Sequence, residues 1–202
     1  GDVLAQGAGG GPGGQGGLPA EMADLMGAIG PDAPWEYDWA PPRATEALVH
    51  LLCARALLPV SETGRLLETL RKCEAATDSA LSGLGVDCTP KEGGGSREMD
   101  LPHHAIWDSR LLLVLRFLAL EMRTHLHLTS ADLLSAQGSV CAAIGLLRAF
   151  PMLLQQLRPG LHFLAGLYCH SAGEFTRAAA CFMGSIEEGA SEQWCNLAAC
   201  HV

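Results

Sequence analysis

Residues 159–186 read Pro-Gly-Leu-His-Phe-Leu-Ala-Gly-Leu-Tyr-Cys-His-Ser-Ala-Gly-Glu-Phe-Thr-Arg-Ala-Ala-Ala-Cys-Phe-Met-Gly-Ser-Ile. With Pro159 as position 1, a small residue, Gly166, falls at position 8 and a turn glycine, Gly173, at position 15. Phe175, Ala178, Phe182 and Ser185 take positions 17, 20, 24 and 27. In a hairpin of two antiparallel helices, small side chains at these offsets lie where the backbones cross, and large ones fill the gaps. Such a unit cannot bury its apolar faces alone, so it implies stacked neighbours.

The spacing is the tetratricopeptide pattern, and it predicts an all-α, tetratricopeptide-like helical-repeat array, a superhelix of helix pairs. Downstream, Ser191 is suited to cap another helix in which Trp194, Leu197 and Ala198 recur at positions 4, 7 and 8 of a new unit. The interval from Gly166 to Ala198 is 32 residues, slightly short of the usual ~34. Because the chain starts at Gly1 and ends inside that helix, it is expected to be a piece of a longer solenoid.

Upstream, residues 1–34 are glycine-rich and low in complexity, a composition that does not repay its ordering entropy; a disordered insertion or linker is expected there. The repeats are expected over 35–202, interrupted by a disordered loop at 84–102 that contains Thr89-Pro90 and Gly93-Gly94-Gly95-Ser96. Pro41-Pro42 suit a helix start. A first helix over about 43–58 presents Ala47, Leu48, Leu51, Leu52 and Arg55 at helical spacing. A second, about 62–81, is capped by Ser61 or Thr63 and carries Leu66, Leu67, Leu70, Cys73, Thr77 and Leu81. The third, about 105–128, is apolar nearly all round through 111–120, which predicts neighbours on both sides. Thr129 and Asp132 read as a capping box for a fourth helix presenting Leu133, Leu134, Gln137, Val140, Cys141, Ile144 and Leu147, which Pro151 ends. Helices over about 160–171 and 174–187 form the repeat quoted above, with small Gly166 expected to face Ala178.

Hydrophobic residues make up 49% of the 202 residues and aromatics only 5%, a mixture that favours helix on helix over sheets. The net charge is −9, with fifteen Asp/Glu against seven Lys/Arg in residues 1–100. So acidic a half argues against an autonomous nucleic-acid-binding domain. Within 103–160, Arg110, Arg116, Arg123, Arg148 and Arg158 face only Asp108, Glu121 and Asp132, a local excess of +2 that fits either an acidic partner segment or a solvated helix face. The eight cysteines include no C-x-x-C pair and lie mostly in apolar helical stretches, which fits core residues in a reducing compartment, cytoplasm or nucleus. No run is long and uncharged enough to predict a membrane span.

No chemistry is legible. His103-His104, His125 with His127, and Cys195 with Cys200 and His201 lack the three- or four-residue step of helical metal ligands, so no metal or cofactor is expected. Nucleophile-elbow, metalloprotease and phosphate-loop motifs are absent, and the chain is expected not to be an enzyme. Trp194 is expected to pack within its repeat, while Trp35 and Trp39 either cover the end of the first helix or anchor a partner.

The block His162-Phe-Leu-Ala-Gly-Leu-Tyr-Cys-His-Ser, after a Leu- and Gln-rich segment and before Ala178-x-x-x-Phe182, resembles the tetratricopeptide subunit of the cohesin loader, the sister chromatid cohesion factor family. Trp39-Ala-Pro followed by Ala47-Leu-Val-His-Leu resembles that family's entry into a long apolar helix, and the likeness runs from about 35 to 202. The resemblance implies a nuclear, non-catalytic scaffold whose superhelix wraps the extended N-terminal segment of its large HEAT-repeat partner, with cohesin and chromatin reached indirectly. Partner contacts would then come from the first helix of each pair, at positions 2, 5, 9 and 12: Gly160, Phe163, Leu167 and His170, with Arg116 and Arg123 from the third helix. A chaperone-docking clamp is a poorer match, since its Lys and Asn positions 5, 6 and 9 hold Phe163, Leu164 and Leu167. A generic repeat scaffold in another complex is the alternative.

Overall fold

Pro41 and Pro42 open the first helix, α1 (Pro42–Leu57), with proline in its first turn, where no intrahelical N–H bond is forfeited. The structure, a computed structural model, describes residues 40–58, 62–88 and 97–189. The glycine-rich lead, Trp35, Trp39, Ser61, the Gly93–Ser96 run and the helix expected around Trp194 lie outside the described residues. After α1 come α2 (Thr63–Gly83), α3 (Ile106–Thr129), α4 (Leu133–Ala149), α5 (Arg158–Ser171) and α6 (Phe175–Glu187), with short 3-10 turns at Glu98–Asp100, His103–Ala105 and Gln155–Leu157. Among the described residues there is no strand.

Helices pair in chain order, α1 with α2, α3 with α4, α5 with α6, and the first members also touch, α1 to α3 and α3 to α5. The α1–α2 pair is antiparallel: Arg43 Nη1 donates to Ser79 Oγ at 3.1 Å, and Cys73 Sγ donates to the Ala47 carbonyl at 3.3 Å. Ala44, Ala47 and Ala54 line the buried side of α1, and their small side chains allow that approach. Leu52, expected on the buried stripe, is instead 60% exposed. Gly85 ends α2 with φ of 77°, a left-handed turn glycine tolerates without a Cβ clash, and the Val86 N–H then reaches back to the Leu81 carbonyl at 2.8 Å. Val86 thereby folds into the core.

Residues 84–88 and 97–102, expected to be irregular linker, are tied down. The Glu98 carboxylate accepts the Met152 and Leu153 backbone N–H groups at 2.9 and 2.7 Å, clasping this segment to the turn after α4.

α3 contacts α1, α2, α4 and α5, as its nearly all-round apolarity predicts. Its Leu112, Leu113, Phe117 and Leu120 are buried in the main core. Asp132 itself caps α4, its Oδ1 accepting the Ser135 N–H at 3.1 Å, whereas the Thr129 hydroxyl donates to the Leu126 carbonyl within α3. The buried side of α4 is Ala136, Ser139, Val140, Ala143, Leu146 and Leu147, so the expected stripe is rotated and Leu134 and Cys141 are exposed. α4 is apolar on more than one face, and periodicity alone does not choose between two overlapping stripes.

α5 and α6 enclose their own cluster of Phe163, Ala178 and Phe182. The Ser185 hydroxyl donates to the Pro159 carbonyl at 2.8 Å, and Arg158 pairs with Glu188 at 3.0 Å, which sets the two helices antiparallel. Gly173 makes the turn at φ of 79°. The atoms nearest Gly166 belong to the Phe182 ring rather than to Ala178: an added Cβ would sit 2.5 Å from Phe182 Cε1. Position 8 is small because a ring crosses it. Phe175 is exposed, with its ring edge-on to His170 at 5.4 Å between centroids.

Candidate partner-binding surface

α3 is covered unevenly. Trp107, Leu111, Val114, Leu118, Glu121 and His125 follow one another in steps of four and three, so at about 100° per residue they form one stripe. Trp107 is 75% exposed and the other five are half-buried, with Leu111, Val114 and Leu118 resting on the core. The same rotation puts Arg116 and Arg123 on the opposite side of the helix. On the neighbouring first helix, α1, Val49 and Leu52 are exposed apolar side chains one turn apart.

One end of the α3 stripe is polar. His125 Nε2 lies 3.9 Å from Glu121 Oε1. Burial raises the Glu121 carboxyl above the ordinary carboxylate range, and the Arg55 guanidinium from α1 acts against that rise. Burial, reinforced by the same Arg55, pushes the His125 imidazole below its usual value. The surface therefore offers apolar area along its length and a compact cluster of titratable side chains at one end.

The two arginines proposed for partner contact are engaged within the chain. Arg116 is ion-paired with Asp78, and Arg123 reaches Glu74 at 2.7 Å and Ser139 Oγ at 3.1 Å, joining α2, α3 and α4. The local positive excess over 103–160 is thus offset by acids on α2, a helix outside that window. Phe163, expected to face a groove, is only 4% exposed and packs its ring 5.7 Å from Phe182. It is a packing residue here, because an α5 that is apolar on several sides leaves its rotation to be set by α6. Leu167 is half-buried on the same cluster, a Cβ added at Gly160 would lie 3.9 Å from Phe117 Cε1, and His170 is exposed. Val49, Leu52 and the α3 stripe were missed in the sequence. The spacing of four and three was visible, but only packing shows which of several apolar faces stays uncovered.

Elsewhere the chemistry is structural. Burial, with Glu74 beside it, raises the Cys73 thiol to about 11, and burial with Asp87 beside it does the same for Cys88. Among the described residues, no group of three or more His, Cys, Asp or Glu comes together as a metal site, and no helix is long and apolar enough to cross a membrane.

Comparison with curated proteins finds the sister chromatid cohesion protein SCC4 of Arabidopsis thaliana, 34% identical over 149 residues, or 73% of this chain. The chain is a relative of that cohesion protein. It spans 19% of the length of SCC4. No protein-family model matches the chain, and no solved structure does.

Proposed function

We propose that this chain is part of a tetratricopeptide-like superhelix that acts as a non-catalytic scaffold in cohesin loading. It binds the extended N-terminal segment of the large HEAT-repeat loader subunit in the nucleus, and reaches cohesin and chromatin through that partner. The observation that carries the proposal is the 34% identity over 149 residues to a sister chromatid cohesion protein. Helix pairs whose first members touch one another, with a ring packed over Gly166 and Ser185 tied to the Pro159 carbonyl, support the repeat architecture.

The partner-facing residues are Val49, Leu52 and Trp107, backed by Leu111, Val114 and Leu118. Arg55, Glu121 and His125 set the orientation of the bound segment, and Leu167 and His170 extend the contact along α5. Arg116 and Arg123 act indirectly, by holding α3 against α2 and α4. An extended chain on such a surface takes most of its affinity from a few desolvated anchors, tryptophan prominent among them, while charges fix its direction.

Co-purification of the large subunit's N-terminal segment with the full-length protein tests this. Trp107→Glu combined with Leu52→Glu is expected to weaken capture by roughly tenfold or more. Leu134→Glu, on the exposed side of α4, leaves capture unchanged. Undiminished capture by the double variant would move the interface away from α1 and α3. Failure of the unaltered protein to capture the segment would leave a repeat scaffold of some other complex.

A further inference from the structure

One carboxylate straps the chain between α2 and α3 to the turn after α4. Glu98 gives an oxygen to each of two N–H groups, Oε2 to Met152 at 2.9 Å and Oε1 to Leu153 at 2.7 Å. The turn that carries them closes on itself only at the next residue, where the Leu154 N–H donates to the Phe150 carbonyl at 3.1 Å. Adjacent backbone N–H groups without an acceptor in their own turn make a small anion cradle. The cradle is anchored from its other side: Phe150 and Leu154 are fully buried, and Arg110 Nη2 of α3 donates to Gln156 Oε1 at 3.0 Å. It therefore keeps its shape whether or not Glu98 sits in it. The strap is built more loosely. Glu98–Asp100 is a single 3-10 turn, with the Asp100 N–H on the Arg97 carbonyl at 2.9 Å and the Arg97 N–H on Asp100 Oδ2 at 3.0 Å. At three residues per turn, side chains three apart stand on one side. Glu98 and Leu101 are accordingly the half-buried pair, Leu101 resting on the main core, while Arg97, Met99 and Asp100 are exposed, Met99 at 96%.

The geometry points to a docking site for an acidic partner segment of the form Glu-x-x-Leu at the 151–154 turn, which the chain's own strap occupies and a partner displaces. The partner's glutamate takes the Met152 and Leu153 N–H groups, and its leucine, three residues on, takes the place of Leu101 on the core. The cradle presents donors alone, so it selects a carboxylate and rejects a basic segment. A strap so exposed, with one carboxylate and one half-buried leucine facing the body of the protein, opens locally at a cost well below that of global unfolding. Because it is covalently tethered, it competes at an effective concentration in the millimolar range, and an isolated motif binds the unaltered protein weakly. The exchange does not depend on which protein binds the α1–α3 face.

The test uses the full-length protein and a capped synthetic peptide of residues 97–103, Arg-Glu-Met-Asp-Leu-Pro-His, beside the same peptide carrying Glu98→Gln. In the unaltered protein, hydrogen exchange at the Met152 and Leu153 amides is expected to run about a hundredfold faster than at Leu113 and Phe117 of α3 and to be insensitive to low urea, as local opening requires. Exchange of all four amides together, by global unfolding, would overturn the proposal, since a strap that never opens is never exchanged. That arm needs no substitution and decides the matter if Glu98→Ala does not fold. In folded Glu98→Ala protein, excess Glu98 peptide should slow exchange at Met152 and Leu153 by about tenfold, and the Glu98→Gln peptide should leave it unchanged. Fluorescence anisotropy of the labelled Glu98 peptide should show about tenfold tighter binding to Glu98→Ala than to the unaltered protein, whose strap competes. Equal protection by the two peptides, protection by neither, or equal affinity for the two proteins would each overturn the site.

Discussion

Replacing Gly166 by alanine places a methyl carbon 2.5 Å from Phe182 Cε1, 2.6 Å from Cδ1 and 3.0 Å from Cζ, where ordinary contact begins near 3.4 Å. Phe182 is fully buried and its ring rests on Phe163, so it has no solvent-side rotamer to retreat to. Either the ring leaves its well or α6 lifts from α5, an overpacking cost of about 1–3 kcal/mol. The helix preference of alanine over glycine returns about 1 kcal/mol, leaving a net loss of about 1 kcal/mol. The identical change at Gly145, inside α4, meets nothing within 4 Å and is expected to gain about 0.5–1 kcal/mol. The two variants should therefore move in opposite directions and differ by about 2 kcal/mol, roughly 4–8 °C in Tm for a chain of this size. Thermal and urea denaturation followed by circular dichroism measure the difference. Phe182→Leu in the Gly166→Ala background should cost less than in the unaltered protein, because the two sites are coupled. A Gly166→Ala variant stabilised as much as Gly145→Ala would refute the ring-over-glycine contact.

Glu98→Ala removes the acceptor for the Met152 and Leu153 N–H groups and is expected to cost about 1–3 kcal/mol; hydrogen exchange at those two amides should quicken while α1 and α2 stay protected, and unchanged exchange would show that the clasp is dispensable. Glu121→Gln tests the buried carboxyl on the α3 stripe. Because its folded pKa is raised, the stability tied to this group is complete below the ordinary glutamate value and is lost as pH rises through the folded one. Glu121→Gln should therefore raise Tm at neutral pH and lose that advantage as pH falls towards 4, and an advantage independent of pH would point to packing instead.

Where helices begin and end was legible because local chemistry sets it. Prolines at 41–42 and 151, the turn glycine at 173 and the acid at 132 act within a turn of their own position, and the six helices fall within a few residues of the spans they mark. The pattern at 166, 173, 178, 182 and 185 also reads correctly as a hairpin, since each offset follows from 3.6 residues per turn. Thr129 was misread because two oxygen-bearing side chains lay near one helix start, and a one-dimensional pattern does not say which is already bonded to its own helix.

Sequence alone determined an all-helical chain, its hairpin spacing and its likeness to a cohesion protein, because each depends on residues close together along the chain or on their order. Tertiary structure decided how each helix is turned. The rotations of α4 and α5 are set by neighbours that bury Ala136 and Phe163 and leave Leu134 exposed, at little cost in periodicity. It also decided that Arg116 and Arg123 are held by Asp78 and Glu74, 38 and 49 residues away, and that, among the described residues, the α3 stripe headed by exposed Trp107 is only partly covered. Apolar residues lie on several faces of these helices, so only the packed neighbours select which face is covered.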